Sequence, residues 1–306
     1  MPWLADAILQ RDTPGDIGTE IKTPAERVRQ DLAAVVTAAG KRFGEALRVI
    51  EECLKTADPS AAGRVERLRY QGYTIEQRLA QTLRPGGLFA SVRLYVLITE
   101  SICRRPWLAA AEEAIAGGAD CLQLREKNLD GGEFLRRARQ LVELCRSRKV
   151  LCIINDRVDI AALSKADGVH LGQEDVPATA ARQILGAARI IGVSTHRIEQ
   201  ARQARLDGAD YIGVGPVFPS PTKPREFVAG LGYARQAAES VEIPAVAIAG
   251  IDLSNVDDVW ATGVSAIAVT AAVVGCDDIR QAARNLKSRL VGPRPVKAEA
   301  KAAVPV

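Results

Sequence analysis

The chain has 306 residues, of which 47% are hydrophobic and 25% charged, enough for a large buried core and a second small unit and unlike a disordered, collagen-like or disulfide-stapled chain. Its formal charge of +4 is spread evenly, with 13 basic and 12 acidic side chains in residues 1–92 and 25 and 24 in residues 93–290, too small a bias for a nucleic-acid surface. No stretch of about 18 apolar residues is present. The start MPWLADAILQRDTPGD has neither the basic nor the apolar region of an export signal, so a cytoplasmic location without a membrane partner is expected. The six cysteines form no C-x-x-C pair and there are two histidines, which speaks against a zinc site and for cysteines as small apolar fillers.

Residues 1–23, rich in Asp, Thr, Gly and Pro without a helical period, are expected to form a mobile leader. Thr23-Pro24-Ala25-Glu26 then supplies a capping residue, a proline at the first helical position and an acid in the first turn, predicting a helix over 24–39. Phe43, Ala46, Leu47, Ile50 and Leu54 make one apolar stripe at helical spacing, and Val65, Leu68, Gly72, Ile75 and Leu79 another, so 24–84 reads as a three-helix domain. Arg84-Pro85-Gly86-Gly87 breaks the pattern and opens a linker over 85–92.

Over residues 93–290 the period changes. Short apolar runs at 94–98, 121–124, 151–154, 168–171, 190–193, 211–215, 245–249 and 266–269 alternate with amphipathic stretches of helical length. Eight strand and helix units in about 200 residues predict an α/β fold, a compact (β/α)8 TIM barrel, with a doubly wound open sheet as the architectural alternative. The tail over 291–306, rich in Pro, Ala and Lys, is expected to be disordered.

A barrel places its chemistry at the C-terminal ends of its strands, and the unusual polar residues fall there. In Gln123-Leu124-Arg125-Glu126-Lys127 the alternate residues Gln123, Arg125 and Lys127 share one side of an extended segment. Arg offers a planar fork to phosphate oxygens and Lys a compact charge, a pair suited to pyrophosphate, although an ion pair with Glu126 is the plainer reading. Asp156 and Asp175 follow adjacent strands and can meet over the barrel mouth, where Mg2+ commonly takes one or two carboxylates. Taken singly, each is more simply a helix cap.

Ser220, Thr222 and Lys223 lie in a long Pro-rich loop after the sixth strand, with hydroxyls and an ammonium for an anionic group; a stiffened surface loop is the alternative. Gly250 and Thr270 stand at the ends of the seventh and eighth strands, a frequent phosphate position in barrels. His170 lies within an apolar run and reads as a packed structural residue. His196 is placed at the mouth, but no carboxylate near it in sequence marks it as a base.

In order, QLREK at 123–127, IINDR at 153–157, DGVHLGQED at 167–175, IGVSTH at 191–196, GPVFPSPTK at 215–223 and AIAG at 247–250 closely resemble the thiamine-phosphate synthases. The resemblance runs through nearly all of residues 93–290. It implies a barrel that joins 4-amino-2-methyl-5-(diphosphooxymethyl)pyrimidine to a thiazole phosphate, releasing pyrophosphate. On matching positions, it implies that Gln123, Leu124, Arg125, Glu126 and Lys127, with Asn155, Ser194 and Lys223, bind the pyrimidine pyrophosphate. Asp156 and Asp175 would hold Mg2+ as the cofactor, and Arg125, Lys127 and Lys223 would act on the leaving charge. Ser220, Pro221, Thr222, Gly250, Val269 and Thr270 would hold the thiazole phosphate. Ser220 stands where the family often has Thr, and Thr270 where it often has Ser.

The segment around Ala39-Gly40-Lys41-Arg42-Phe43-Gly44-Glu45 resembles an extra domain fused to some thiamine-synthesis proteins. A pyrimidine phosphate kinase role is suggested for such domains, but the segment has no recognisable nucleotide loop, which favours an interaction or homo-oligomerisation role. Two rival functions stay open: a thiazole tautomerase on the same fold, which would want a His where this chain has Pro216, and a non-catalytic thiamine or phosphate sensor.

Overall fold

The structure, a computed structural model, describes residues 32–82, 85–220 and 227–292. The chain divides into two compact units between Leu83 and Arg84. In the first, helices α1 (Leu32–Lys55) and α2 (Pro59–Thr82) lie against each other. The break expected after residue 39 is absent, because α1 runs through Gly40-Lys41 without interruption; a glycine inside a helix costs only about 1 kcal/mol. Among the described residues the three expected helices are therefore two, and the start of the expected 24–39 helix, like the leader, lies outside them.

The contact between these helices also differs from the apolar stripes. Glu51 and Arg69, 5% and 7% exposed, form a 3.0 Å ion pair between α1 and α2, and Gly44 and Ala62 are buried. Phe43, Ile50, Leu68 and Ile75 are instead exposed. Small residues allow close approach: a Cβ on Gly72 would meet the Phe43 ring at 2.1 Å. The interface is thus built from glycine, alanine and one ion pair, with Gly72 against Phe43 the part of it that the stripes contribute.

The second unit is a closed barrel. Strands β1 (Leu94–Ile98), β2 (Cys121–Leu124), β3 (Leu151–Asn155), β4 (Gly168–Leu171), β5 (Ile190–Thr195), β6 (Tyr211–Val214), β7 (Ala245–Ile248) and β8 (Ala266–Val269) pair in chain order. Tyr95 lies opposite Cys121 on one side and opposite Ala268 on the other, both in parallel register. This closure of β1 on β8 excludes the doubly wound alternative. The strands fall on the predicted runs, β3 and β5 extending beyond them to Asn155 and Thr195 and β6 and β7 ending one residue earlier, at Val214 and Ile248.

Helix α3 (Pro85–Phe89) precedes β1, and between and after the strands run α4 (Trp107–Ala116), α5 (Gly131–Arg148), α6 (Val158–Ser164), α7 (Ala178–Leu185), α8 (Ile198–Leu206), α9 (Gly230–Ser240), α10 (Val256–Trp260), α11 (Ala271–Val274) and α12 (Ile279–Arg289). Side chains alternate across the sheet. Leu94, Val96, Ile98, Leu122, Leu124 and Ile154 join the core that the helices cover, whereas Tyr95, Leu97, Cys121, Ile153 and Tyr211 fill the barrel interior. The expected linker belongs to this interior: Phe89 of α3 is fully buried and stacks on Tyr211 at 3.8 Å.

A repeated aspartate ties the strands in pairs. Asp120, before β2, accepts the N–H of Leu94 at 2.9 Å. Asp167, before β4, accepts from Cys152 at 2.8 Å, and Asp210, before β6, from Ile191 at 2.8 Å. Each carboxylate satisfies a backbone donor at the start of the preceding strand. All six cysteines are free, and Cys121, Cys145 and Cys152 are buried; burial pushes the Cys121 thiol well above the ordinary range. No helix among the described residues is long and apolar enough to cross a membrane.

Candidate active site

The C-terminal strand ends open into a cavity of about 980 Å³, within the range of small-molecule sites. From the end of β2, Gln123, Arg125 and Lys127 line it. Leu124 and Glu126 turn the other way, as the two-residue period requires. Leu124 is buried between sheet and helices. Glu126 accepts the N–H of Glu100 at 2.8 Å and lies 3.8 Å from Arg137, so its ion pair is with α5 and not with its own segment. Among the described residues the Arg125 guanidinium makes no ion pair, which leaves its fork open to the cavity.

Across the mouth stand the two carboxylates. Asp156 follows β3 with φ 61° and donates its N–H to the carbonyl of His170 at 2.8 Å; its carboxylate pairs with the ammonium of Lys127. Asp175 accepts the N–H of Gly172 at 2.6 Å. Neither caps a helix, since the capping positions of α6 and α7 are Arg157 and Pro177, without a side-chain cap bond. Burial lifts the Asp175 carboxyl above its ordinary range despite the Gly172 bond, and the adjoining Asp156 adds to the rise. Two neighbouring carboxyls are thus held close. Among the described residues no group of three potential ligands is present, so a divalent ion here would complete its shell with waters or substrate oxygens, as Mg2+ does.

Asn155, 7% exposed, and Ser194 of β5 line the same cavity, as do Ser220, Gly250, Val269 and Thr270. Gly250 is fixed by its surroundings: its φ is +66° and a Cβ would meet the Pro219 carbonyl at 2.5 Å, a conformation and an approach that other residues resist. Pro221, Thr222 and Lys223 lie outside the described residues.

Among the further residues that reach the cavity and were not assigned to it from the sequence are Tyr95, Tyr211 and His170. His170 is not packed into the strand and helix core; it faces inward, between the Tyr211 hydroxyl and the Ser194 hydroxyl, 2.9 Å from each. Its alternation with Val169 and Leu171, which join the strand and helix core, sets it on the opposite side of β4. Burial holds the Tyr95 and Tyr211 phenols well above the ordinary tyrosine range, so both stay protonated. His196 lines the wall, with Nδ1 2.5 Å from the Gly215 carbonyl.

A closed parallel barrel whose mouth gathers paired carboxylates, Arg125 and Lys127 defines a TIM-barrel enzyme. The family model described as thiamine monophosphate synthase matches residues 94–273, and the chain belongs to this family. Residues 4–78 match the ThiD2 family. The thiamine-phosphate synthase of Nostoc punctiforme is 42% identical over 92% of this chain and 79% of its own length, and that of Rhodopirellula baltica 40% identical over 92% and 77%. The solved structure of thiamine phosphate pyrophosphorylase from Pyrococcus furiosus is 39% identical and superposes with a TM-score of 0.62, covering 66% of this chain and 97% of that one.

Proposed function

We propose that the chain joins 4-amino-2-methyl-5-(diphosphooxymethyl)pyrimidine to a thiazole phosphate, forming thiamine phosphate and pyrophosphate. The observation that carries this reading is the meeting of Arg125, Lys127, Asp156 and Asp175 at one cavity wall. Relatives named for the same reaction, similar along most of the chain, support it. In the reaction the bond from the pyrimidine methylene to the pyrophosphate oxygen breaks, the electron pair leaving on oxygen. The lone pair of the thiazole nitrogen then forms the new bond to that carbon.

This chemistry asks the protein for charge neutralisation and alignment rather than for a nucleophile. Arg125 and Lys127 face the departing pyrophosphate, joined by Lys223. Asp156 and Asp175 are the residues that would hold Mg2+, which, when bound, supplies positive charge to phosphate oxygens. Asn155 and Ser194 orient the pyrimidine half, and Ser220, Pro221, Thr222, Gly250, Val269 and Thr270 the thiazole phosphate. Leu124 and Glu126 contribute through backbone alone, given the direction of their side chains. The carboxylate pair disfavours the tautomerase reading, which has no use for it, and Pro216 occupies the position where that enzyme would want a histidine. Product analysis with both substrates tests the proposal: thiamine phosphate and pyrophosphate in equal amounts are expected. Folded protein that isomerises the thiazole phosphate alone would replace this reading.

A further inference from the structure

Beneath the cavity an unbroken hydrogen-bonded chain crosses the barrel. Gln123 donates from Nε2 to the Tyr95 hydroxyl at 2.6 Å, Tyr95 and Tyr211 share a bond of 3.1 Å between their hydroxyls, and His170 lies 2.9 Å from Tyr211 and 2.9 Å from Ser194. The chain therefore begins and ends on two residues assigned above to the pyrimidine substrate. Room for it is built into the strands, because a Cβ on Gly192 would strike the Tyr211 ring at 2.0 Å and one on Gly213 would press on His170 at 3.1 Å.

Such a chain has a direction. Each hydroxyl has one proton to give. Since Tyr95 accepts from Gln123, its own proton goes to Tyr211, and the Tyr211 proton goes to His170 Nδ1. A neutral imidazole with Nδ1 accepting carries its proton on Nε2, which donates to Ser194. Ser194 is then left to turn its hydroxyl proton into the cavity, while Gln123 presents its carbonyl oxygen. Burial holds both phenols well above the ordinary tyrosine range, so each keeps the proton that it passes along the chain.

We propose that Tyr95, Tyr211 and His170 are positioning residues that fix a carbonyl acceptor at Gln123 and a hydroxyl donor at Ser194 for the pyrimidine half of the substrate. This rests on the synthase reading. The aminopyrimidine offers the complement, an amine that donates and ring nitrogens that accept. Reversing the chain would present a donor where the amine needs an acceptor.

Two measurements test it. The chain has two histidines, so 15N NMR of histidine-labelled protein, assigned with His196→Gln, reads the ring of His170 directly. The expected result is a protonated Nε2 and a bare Nδ1; a proton on Nδ1 overturns the proposal whatever the activity. Tyr211→Phe, which keeps the ring stacked on Phe89 and removes the hydroxyl's two buried hydrogen bonds, to Tyr95 and His170, is expected to raise KM for the pyrimidine pyrophosphate about tenfold. KM for the thiazole phosphate and kcat should change less than about twofold. If that variant does not fold, Tyr95→Phe breaks the chain one link nearer Gln123 with the same expectation. Unchanged kinetics in a folded variant, or equal effects on both substrates, overturn the proposal. A wild type without product sinks the synthase reading instead, and the histidine spectrum separates the two failures.

Discussion

Lys127 and Asp156, from the ends of β2 and β3, meet as an ion pair at the rim of the cavity. Their side chains are 49% and 22% exposed, so the pair itself adds little to stability. Its meaning is positional: it sets the ammonium and a carboxylate side by side where a pyrophosphate would leave. Lys127→Ala is accordingly expected to raise KM for the pyrimidine pyrophosphate by about tenfold or more, the loss of one charge-assisted contact. KM for the thiazole phosphate should stay nearly constant. Steady-state kinetics with each substrate varied in turn checks this, and equal loss on both would remove Lys127 from the pyrophosphate.

Asp156→Asn preserves a residue tolerant of the left-handed backbone at φ 61° while removing the charge. The expected outcome is at least about tenfold more Mg2+ for half-maximal rate. An unchanged Mg2+ titration would take Asp156 out of the metal site.

Gly192→Ala forces a methyl group into the Tyr211 ring. Overpacking of this kind costs about 1–3 kcal/mol, to be read as a lower urea midpoint. Wild-type stability in this variant would mean that the rings beneath the cavity are not tightly held.

The aspartate ties make a separate prediction about the barrel. Asp167→Ala leaves the Cys152 N–H at the start of β3 without its acceptor and should cost about 1–3 kcal/mol. Asp159→Ala, which removes an exposed pair with Arg157, should cost less than about 1 kcal/mol. Urea unfolding of the two variants side by side decides it, and equal effects would deny the ties their role.

Removing residues 1–83 should leave turnover within about twofold if the barrel is the catalytic unit, as expected of a domain with its own core. The Pyrococcus furiosus structure, matched over 97% of its length by 66% of this chain, supports that expectation. A folded but inactive barrel would assign the helical unit a part in the reaction.

Much of the barrel was legible in the sequence, because parallel strands buried on both faces read as short apolar runs, and polar residues at their C-terminal ends stand out against them. Gln123, Arg125 and Lys127 could be separated from Leu124 and Glu126 by period alone. Other features were hidden for physical reasons. His170 sits among apolar neighbours, and only the fold tells which side of the strand it occupies. Tyr95 and Tyr211 look like ordinary core aromatics until closure brings their hydroxyls together. In the helical unit, the helix runs on past the expected end at residue 39, and the buried Glu51–Arg69 pair could not be foreseen from stripes of apolar residues. Pro85 and the two glycines after it suggested a linker, yet they lead into Phe89, which fills the barrel.

The most direct test of the account is to follow thiamine phosphate and pyrophosphate together, from purified protein given both substrates, with Mg2+ and then with a chelator in excess. Both products are expected in equal amounts with Mg2+, and chelation is expected to suppress both together. Folded protein that forms neither product, or that forms them at the same rate without the ion, would contradict it.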